Sequence, residues 1–93
     1  MNCVYILYSA KLNRFYIGFT SDFDTRLDFH KNAESHKFTA KAEDWELFLR
    51  IPCANKTQGL SIEKHIKKMK SKTYIENLVK YPDIILKLKD KYK

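Results

Sequence analysis

The feature that most constrains the fold is a pair of strand-like runs in the segment "CVYILYSAKLNRFYIGFT", residues 3–20. Both runs are rich in Tyr, Ile, Val and Phe, the residue types that favour β-strands, and a short connection joins them. The segment therefore predicts a β-hairpin with strands at residues 3–8 and 14–19 and a loop at residues 9–12. In that register Tyr5 on the first strand lies opposite Tyr16 on the second.

Side-chain alternation along the two strands assigns each residue to one face of the hairpin. The face with the two tyrosines holds Cys3, Tyr5, Leu7, Arg14, Tyr16 and Gly18. The other face holds Val4, Ile6, Tyr8, Phe15, Ile17 and Phe19. Because both faces are mainly apolar, we expect the sheet to be covered on both sides.

The rest of the chain predicts one more strand and four helices. A first helix is capped by Ser21 or Asp22, residues 31–43 form a loop, and residues 45–51 form the third strand, which ends at Pro52. Three helices follow. The first has apolar residues at helical spacing, Ile62, Ile66 and Met69. The second starts with a capping box of Thr73 and Glu76, and the third has Pro82 in its first turn.

This order, β-β-α-β-α-α-α, predicts the α+β class with a small three-stranded antiparallel sheet flanked by helices. A length of 93 residues suits one domain, residues 1–93, and no apolar run is long enough for a membrane span. Without a signal-peptide pattern, we expect a cytoplasmic protein. Cys3 and Cys53 are far apart in apolar contexts and are expected to be reduced, buried thiols.

Positive charge is concentrated in the last third of the chain. Residues 1–62 contain 8 Lys and Arg against 7 acids, whereas residues 63–93 contain 10 Lys against 4 acids. Such a surface can bind phosphates, although lysines on a solvated helix face also keep a small protein soluble. The candidate backbone-binding residues are Lys64, Lys67, Lys68, Lys70 and Lys72.

The ordered motifs resemble those of the GIY-YIG nuclease superfamily. "CVY" at 3–5 corresponds to the first motif with Cys3 in place of glycine, and "YIG" at 16–18 matches the second motif in full. "TSDFDTRLDFH" is similar to the helix with a functional arginine, here Arg26, followed by His30, and "IEKHIKKMKS" to the helix with a metal-binding glutamate, here Glu63. Over roughly residues 2–80 the chain is similar to short bacterial members and to the N-terminal catalytic domain of the excinuclease C subunit.

The resemblance implies a metal-dependent endonuclease that acts on nucleic acid, with DNA as the expected substrate. It implies Mg²⁺ as the cofactor, with Mn²⁺ as the alternative, and it allows for a protein partner. It implies that Glu63 is the metal ligand and that Arg26 binds the scissile phosphate with two parallel hydrogen bonds. His30 would move a proton, Tyr5 would be the base and Tyr16 a positioning group. Gly18 would be a structural part of the motif. We expect the tips of Tyr5, Tyr16, Arg26, His30 and Glu63 to line one concavity on the tyrosine face.

Simpler interpretations of the same residues remain open. Cross-strand tyrosines stabilise hairpins without any catalysis, and Glu63 can be a helical acid paired with Lys67. Some relatives have a lysine after the YIG glycine where this chain has Phe19, and Arg14 is a candidate replacement for that cation. Two other function classes fit the same sequence, a non-catalytic nucleic-acid-binding module and a protein-interaction domain whose basic helices bind an acidic partner.

Overall fold

The computed structural model of the chain describes residues 2–22 and 44–93. Three strands, β1 (Cys3–Ser9), β2 (Arg14–Thr20) and β3 (Glu46–Pro52), form an antiparallel sheet in the order β2-β1-β3. Three helices follow, α1 (Lys56–Met69), α2 (Lys72–Lys80) and α3 (Asp83–Lys91). The predicted α+β class is confirmed. The predicted helix with Arg26 and His30 lies outside the described residues, so the described order is β-β-β-α-α-α.

The hairpin register differs from the prediction by two residues. Tyr5 pairs with Gly18 and Leu7 pairs with Tyr16, so the predicted pairing of Tyr5 with Tyr16 was wrong. The loop is residues 10–13, and it closes through Asn13, whose φ of 51° is in the left-handed region that asparagine adopts more readily than most residues. Because the shift is an even number of residues, every side chain stays on its predicted face.

A long-range contact fixes the end of β1. The buried Ser9 hydroxyl donates to the Asp44 carboxylate at 2.6 Å and accepts from the Leu12 backbone N–H at 3.1 Å. Asp44 also accepts from the Lys11 backbone N–H at 2.8 Å. These hydrogen bonds lower the pKa of Asp44, with the Ser9 bond as the largest cause. Ser9 therefore ends the strand instead of starting the loop.

Each face of the sheet carries its own apolar cluster, as the two-sided pattern predicted. On one face the residues Val4, Ile6 and Ile51 pack against the helices through Ile62, Ile66, Ile75, Leu78 and Leu88. On the other face Tyr5, Leu7 and Trp45 are buried together, with Leu12 and Tyr16 against them. The helices α1 to α3 thus belong to the face opposite the tyrosines.

The three helices follow one another as the sequence predicted, but two details differ. Ser71 caps α2 by accepting from the Tyr74 backbone N–H, so the predicted capping box of Thr73 with Glu76 was wrong. Met69, predicted to continue the apolar stripe of α1, is 45% exposed. The chain turns directly after it, at Lys70 with a φ of 48°.

Both cysteines are free thiols, as predicted; Cys3 is buried as expected, whereas Cys53 is only half-buried. Burial raises the pKa of each thiol. Among the described residues, no helix has the length and apolar character that crossing a bilayer requires.

Candidate functional site

The two motif tyrosines lie side by side on the sheet although they are not direct cross-strand partners. Their ring centroids are 6.3 Å apart with the planes tilted by 27°. Trp45, which precedes β3, contacts the Tyr16 ring edge-on at 6.4 Å. Tyr5 is only 2% exposed, whereas Tyr16 is half-buried. The packing interpretation of this pair is therefore correct, and any chemical role is additional to it.

The Tyr5 side chain crosses from the central strand β1 over the edge strand β2 at Gly18. A Cβ atom placed on Gly18 would lie closer than 3.0 Å to Cζ and Oη of Tyr5, a separation that real Cβ atoms essentially never show. The Gly18 φ is not positive, so the glycine is required here for space and not for backbone conformation. The glycine of the YIG motif thus allows the Tyr5 hydroxyl to reach the β2 side of the sheet.

Glu63 lies in α1, and its helix packs on the face opposite the tyrosines through Ile62 and Ile66. The expected concavity on the tyrosine face was therefore wrong in this respect. Glu63 is on the flank of α1 that faces β2, because Gly59, one turn earlier on the same flank, lies against the Phe19 ring. The Tyr5 hydroxyl thus lies over β2 on one face of the sheet, and Glu63 lies on the flank of α1 that faces β2 on the other.

The Glu63 carboxylate keeps some solvent exposure and forms an ion pair with Lys67. Its side chain is 18% exposed, and Oε2 is 3.4 Å from Nζ of Lys67 on the next turn. An exposed i, i+4 pair of this kind contributes about 0.3–0.5 kcal/mol. Such a weak pair leaves the carboxylate able to take another cationic partner.

Phe19, which replaces the lysine of some relatives, has a packing role. A Cβ on Gly59 would lie closer than 3.0 Å to the Phe19 ring, so the ring occupies the place of a side chain in the first turns of α1. The absence of a side chain at Gly59 in this helix therefore leaves the space that the Phe19 ring of β2 fills. A cation at position 19 would have to lie within this helix–sheet interface.

A basic groove runs between the outer edge of β2 and the junction of α1 with α2. We call it the edge groove; it has a volume of about 710 Å³. Its lining residues are Arg14, Phe15, Ile17, Ile66, Lys67, Lys70, Ser71, Lys72 and Ile75. Arg14 thus joins three of the predicted lysines, and Lys67 links the groove to Glu63. Lys72 also donates to the Asn13 carbonyl at 2.6 Å, which attaches α2 to the hairpin loop.

The other two predicted lysines, Lys64 and Lys68, lie elsewhere. They line a second groove of about 700 Å³, which we call the His65 groove. Its lining residues are Ser61, Lys64, His65, Lys68, Met69, Lys91 and Tyr92. The structure therefore divides the single predicted lysine group between two surfaces.

His65 is not among the candidate site residues that the motifs indicate, but the structure gives it specific partners. It is half-buried, and its Nδ1 is 2.9 Å from the Tyr92 hydroxyl. Its ring also contacts that of Tyr74. The sequence does hold a signal for this position, because His65 is three residues after the buried Ile62 and borders the same apolar stripe.

A divalent metal site built wholly from protein ligands is not present in the described part of the chain. No group of three or more His, Cys, Asp or Glu side chains converges among residues 2–22 and 44–93. Mg²⁺ does not need such a cage, because it is often held by one or two carboxylates with water and substrate phosphates as the other ligands. The half-buried Glu63 carboxylate beside a cationic groove fits that mode of binding.

Together, the fold and the grooves define a class of protein: a small α+β domain with one available carboxylate next to a cationic groove, suited to a phosphate backbone. Residues 1–76 match the GIY-YIG catalytic domain. The chain therefore belongs to the GIY-YIG family, whose nucleases act on DNA and generally use a divalent metal. Neither the comparison with curated proteins nor that with solved structures returns a match.

Proposed function

We propose that this chain is a Mg²⁺-dependent endonuclease that hydrolyses phosphodiester bonds in DNA. The observation that carries the proposal is the position of Glu63, whose carboxylate is paired with Lys67 at the border of the edge groove. The GIY-YIG match over residues 1–76 supports nuclease chemistry in general. The assignment of individual residues rests on their motif positions and on the geometry at the outer edge of β2.

The side chains that line the edge groove would bind the substrate backbone. Arg14, Lys67 and Lys70 contribute three of the groove's four cations, and lysine or arginine contacts to phosphates bind DNA without reading its sequence. Glu63 would hold the metal ion, which when bound neutralises charge on the phosphoryl oxygens. Arg26 would add a bidentate contact to the scissile phosphate.

Proton transfer is assigned to the aromatic and imidazole groups of the motifs. Tyr5 would accept the proton of the attacking water at the point where its hydroxyl crosses Gly18. Tyr16, stacked beside it, would position that water. A free phenol has a pKa of about 10, so the base role needs the cations of the substrate-bound site close by. His30 would return a proton to the leaving oxygen.

Because the lysines contact a backbone without reading bases, we propose that the substrate is chosen by its shape. Branched or flapped DNA, of the kind that arises in repair and recombination, is the substrate class to test first. The measurement is cleavage of labelled branched, flapped, nicked, duplex and single-stranded DNA, with and without Mg²⁺ or Mn²⁺. Salt-dependent binding without metal-dependent cleavage of any substrate would instead identify a non-catalytic binding module.

The role of Glu63 is tested by Glu63→Gln with Asp90→Asn as the matched control. Each change neutralises one acid of a near-neighbour helical ion pair, Glu63 with Lys67 and Asp90 with Lys93. The first should abolish metal-dependent cleavage and the second should leave it unchanged. Since the lost pair is worth only about 0.3–0.5 kcal/mol, both variants should unfold within a few degrees of the parent. Full cleavage by Glu63→Gln at limiting Mg²⁺ would remove the proposed role.

A further inference from the structure

The His65 groove lies on the flank of α1 away from Glu63. Successive residues of an α-helix are about 100° apart around its axis, which places Ser61 and Lys68 about 160° and 140° from Glu63, on the flank opposite β2, with Lys64 about 100° from Glu63 at the border of that flank. The edge groove, in contrast, takes Lys67 and Lys70 from the β2-facing flank. One helix therefore separates two basic grooves.

The charge in the His65 groove has one sign. Lys64 and Lys68 from α1 and Lys91 from the end of α3 contribute three ammonium groups, and no carboxylate is among the described residues that line it. Burial lowers the pKa of His65, and the nearby charges of Lys91 and Lys68 lower that pKa further. Cations gathered without a counter-charge favour the binding of an anion.

Neutral side chains give this groove a defined shape. The hydrogen bond of His65 to Tyr92 connects the middle of α1 to the residue after α3, and the two rings meet edge-on at 5.8 Å. The Tyr74 ring of α2 is also near the imidazole, with the ring centroids 6.1 Å apart, and its own pKa is raised by burial and by Tyr92. The imidazole of α1 is thus held in place by rings from two other segments.

Part of the groove comes from residues beyond the segment that matches the family. The family match ends at residue 76, whereas Lys91 is the last residue of α3 and Tyr92 follows it. The buried Leu88 anchors α3 in the same apolar cluster as Ile62 and Ile66 of α1. Residues after the matched segment therefore complete a cationic surface that the matched segment alone would leave open.

We propose that the His65 groove is a second phosphate-binding site, which holds a stretch of nucleic-acid backbone separate from that in the edge groove. An α-helix with its side chains is about 10–12 Å wide, so the two sites are too far apart to act as one contact. They would bind two backbone segments, such as the two strands that border a groove of a duplex or two arms of a branch. This inference rests on the proposed function only in taking nucleic acid as the ligand.

The test is the salt dependence of binding to a fluorescein-labelled DNA duplex and a labelled three-way junction, measured by anisotropy without divalent metal. Each lost lysine–phosphate contact reduces the slope of log affinity against log salt by about 0.9. The double change Lys68→Gln with Lys91→Gln should therefore reduce that slope by about 1.8. The control, Lys11→Gln with Lys80→Gln, removes the same charge from residues outside both grooves and should change the slope by less than half as much. An equal change in the two double variants would overturn the proposal.

A second readout comes from the imidazole. The side chains around His65 are Lys64 and Lys68 on α1, Tyr74 on α2, Lys91 at the end of α3 and Tyr92 after it. A backbone bound in this groove lies beside the ring, so the His65 ring resonances followed by NMR at constant pH should shift when the duplex is added. His65→Gln identifies the signal, and ring resonances unchanged at saturating duplex would contradict the proposal.

Failure of this proposal can be distinguished from failure of the nuclease proposal. Metal-dependent cleavage by the native chain combined with equal slopes in the two double variants would reject the second site and keep the nuclease. A reduced slope for Lys68→Gln with Lys91→Gln, in a chain that cleaves nothing with any metal, would keep the second site and reject the nuclease.

Discussion

Replacing Gly18 by alanine tests whether the Tyr5 ring crosses β2 at this position. Alanine in a strand normally stabilises relative to glycine by about 0.5–1 kcal/mol, because glycine loses more backbone entropy on folding. The Gly18 φ is not positive, so alanine can adopt the same backbone conformation without strain. Any loss of stability must therefore come from the new Cβ, which would meet Cζ and Oη of Tyr5 closer than 3.0 Å.

The size of that loss follows from the burial of Tyr5. At 2% exposure, and packed with Leu7 and Trp45, the ring has little free space into which it can move. Overpacking a close-packed site costs about 1–3 kcal/mol, from which the backbone gain is subtracted. Subtracting a backbone gain of about 0.5–1 kcal/mol leaves a net loss of up to about 2.5 kcal/mol with a midpoint of about 1 kcal/mol, and each kcal/mol is equivalent to about 4–8 °C in the melting temperature of a domain of this size.

The assay is thermal and urea unfolding followed by circular dichroism, in the native background and in the Tyr5→Leu background. With the ring removed, Gly18→Ala should change from destabilising to stabilising by about 0.5–1 kcal/mol. Cleavage should fall together with stability in the native background, because the displaced hydroxyl leaves its place over β2. The same destabilisation in both backgrounds would show that the Tyr5 ring is not the cause, and the explanation of the YIG glycine would be refuted.

Three further predictions concern single groups. Tyr5→Phe keeps the ring and removes the hydroxyl, so single-turnover cleavage should slow while the Kd for DNA stays constant; loss of stability without loss of rate would leave the tyrosine with a packing role only. The hydrogen bonds of Asp44 lower its pKa in the folded state. The stability they contribute is therefore present above the unfolded pKa of about 3.9 and is lost as the pH falls through the lower folded pKa. Urea midpoints should fall less steeply below pH 4 in Asp44→Asn than in the parent, and parallel curves would contradict this. Ser71→Ala removes the cap that accepts from the Tyr74 N–H and should lower the free energy of unfolding by about 0.5–2 kcal/mol, whereas Thr73→Ala should lower it much less. The reverse ranking in urea unfolding would support the capping box of Thr73 with Glu76.

The sequence was most informative where a short period or a local motif decides the structure. Alternation in the hairpin assigned every side chain of both strands to its correct face, and it did so even though the register was wrong, because an even shift preserves the faces. The spacing of Ile62 and Ile66 located the buried stripe of α1. The motif order identified the family, which the match over residues 1–76 confirms.

Where two local signals compete, only the structure could decide between them. The hairpin loop could start at Ser9 or at Ala10, and the hydrogen bond of Ser9 to Asp44, 35 positions later in the chain, selects the second. At the start of α2, Ser71 and Thr73 are both good caps, and the left-handed turn at Lys70 leaves Ser71 in the capping position. Neither outcome follows from residue propensities, because each depends on a partner or backbone turn outside the local motif.

The candidate site shows the same division. The sequence by itself determined that the lysines cluster late in the chain, and it predicted motif positions for Tyr5, Tyr16 and Glu63, because both statements depend on residue order alone. Only the tertiary structure decided that α1 covers the face opposite the tyrosines, and that its lysines split between the edge groove and the His65 groove. The physical reason is that a helix buries one stripe and exposes two flanks, and what each flank faces is set by the strand and the helix that pack beside it.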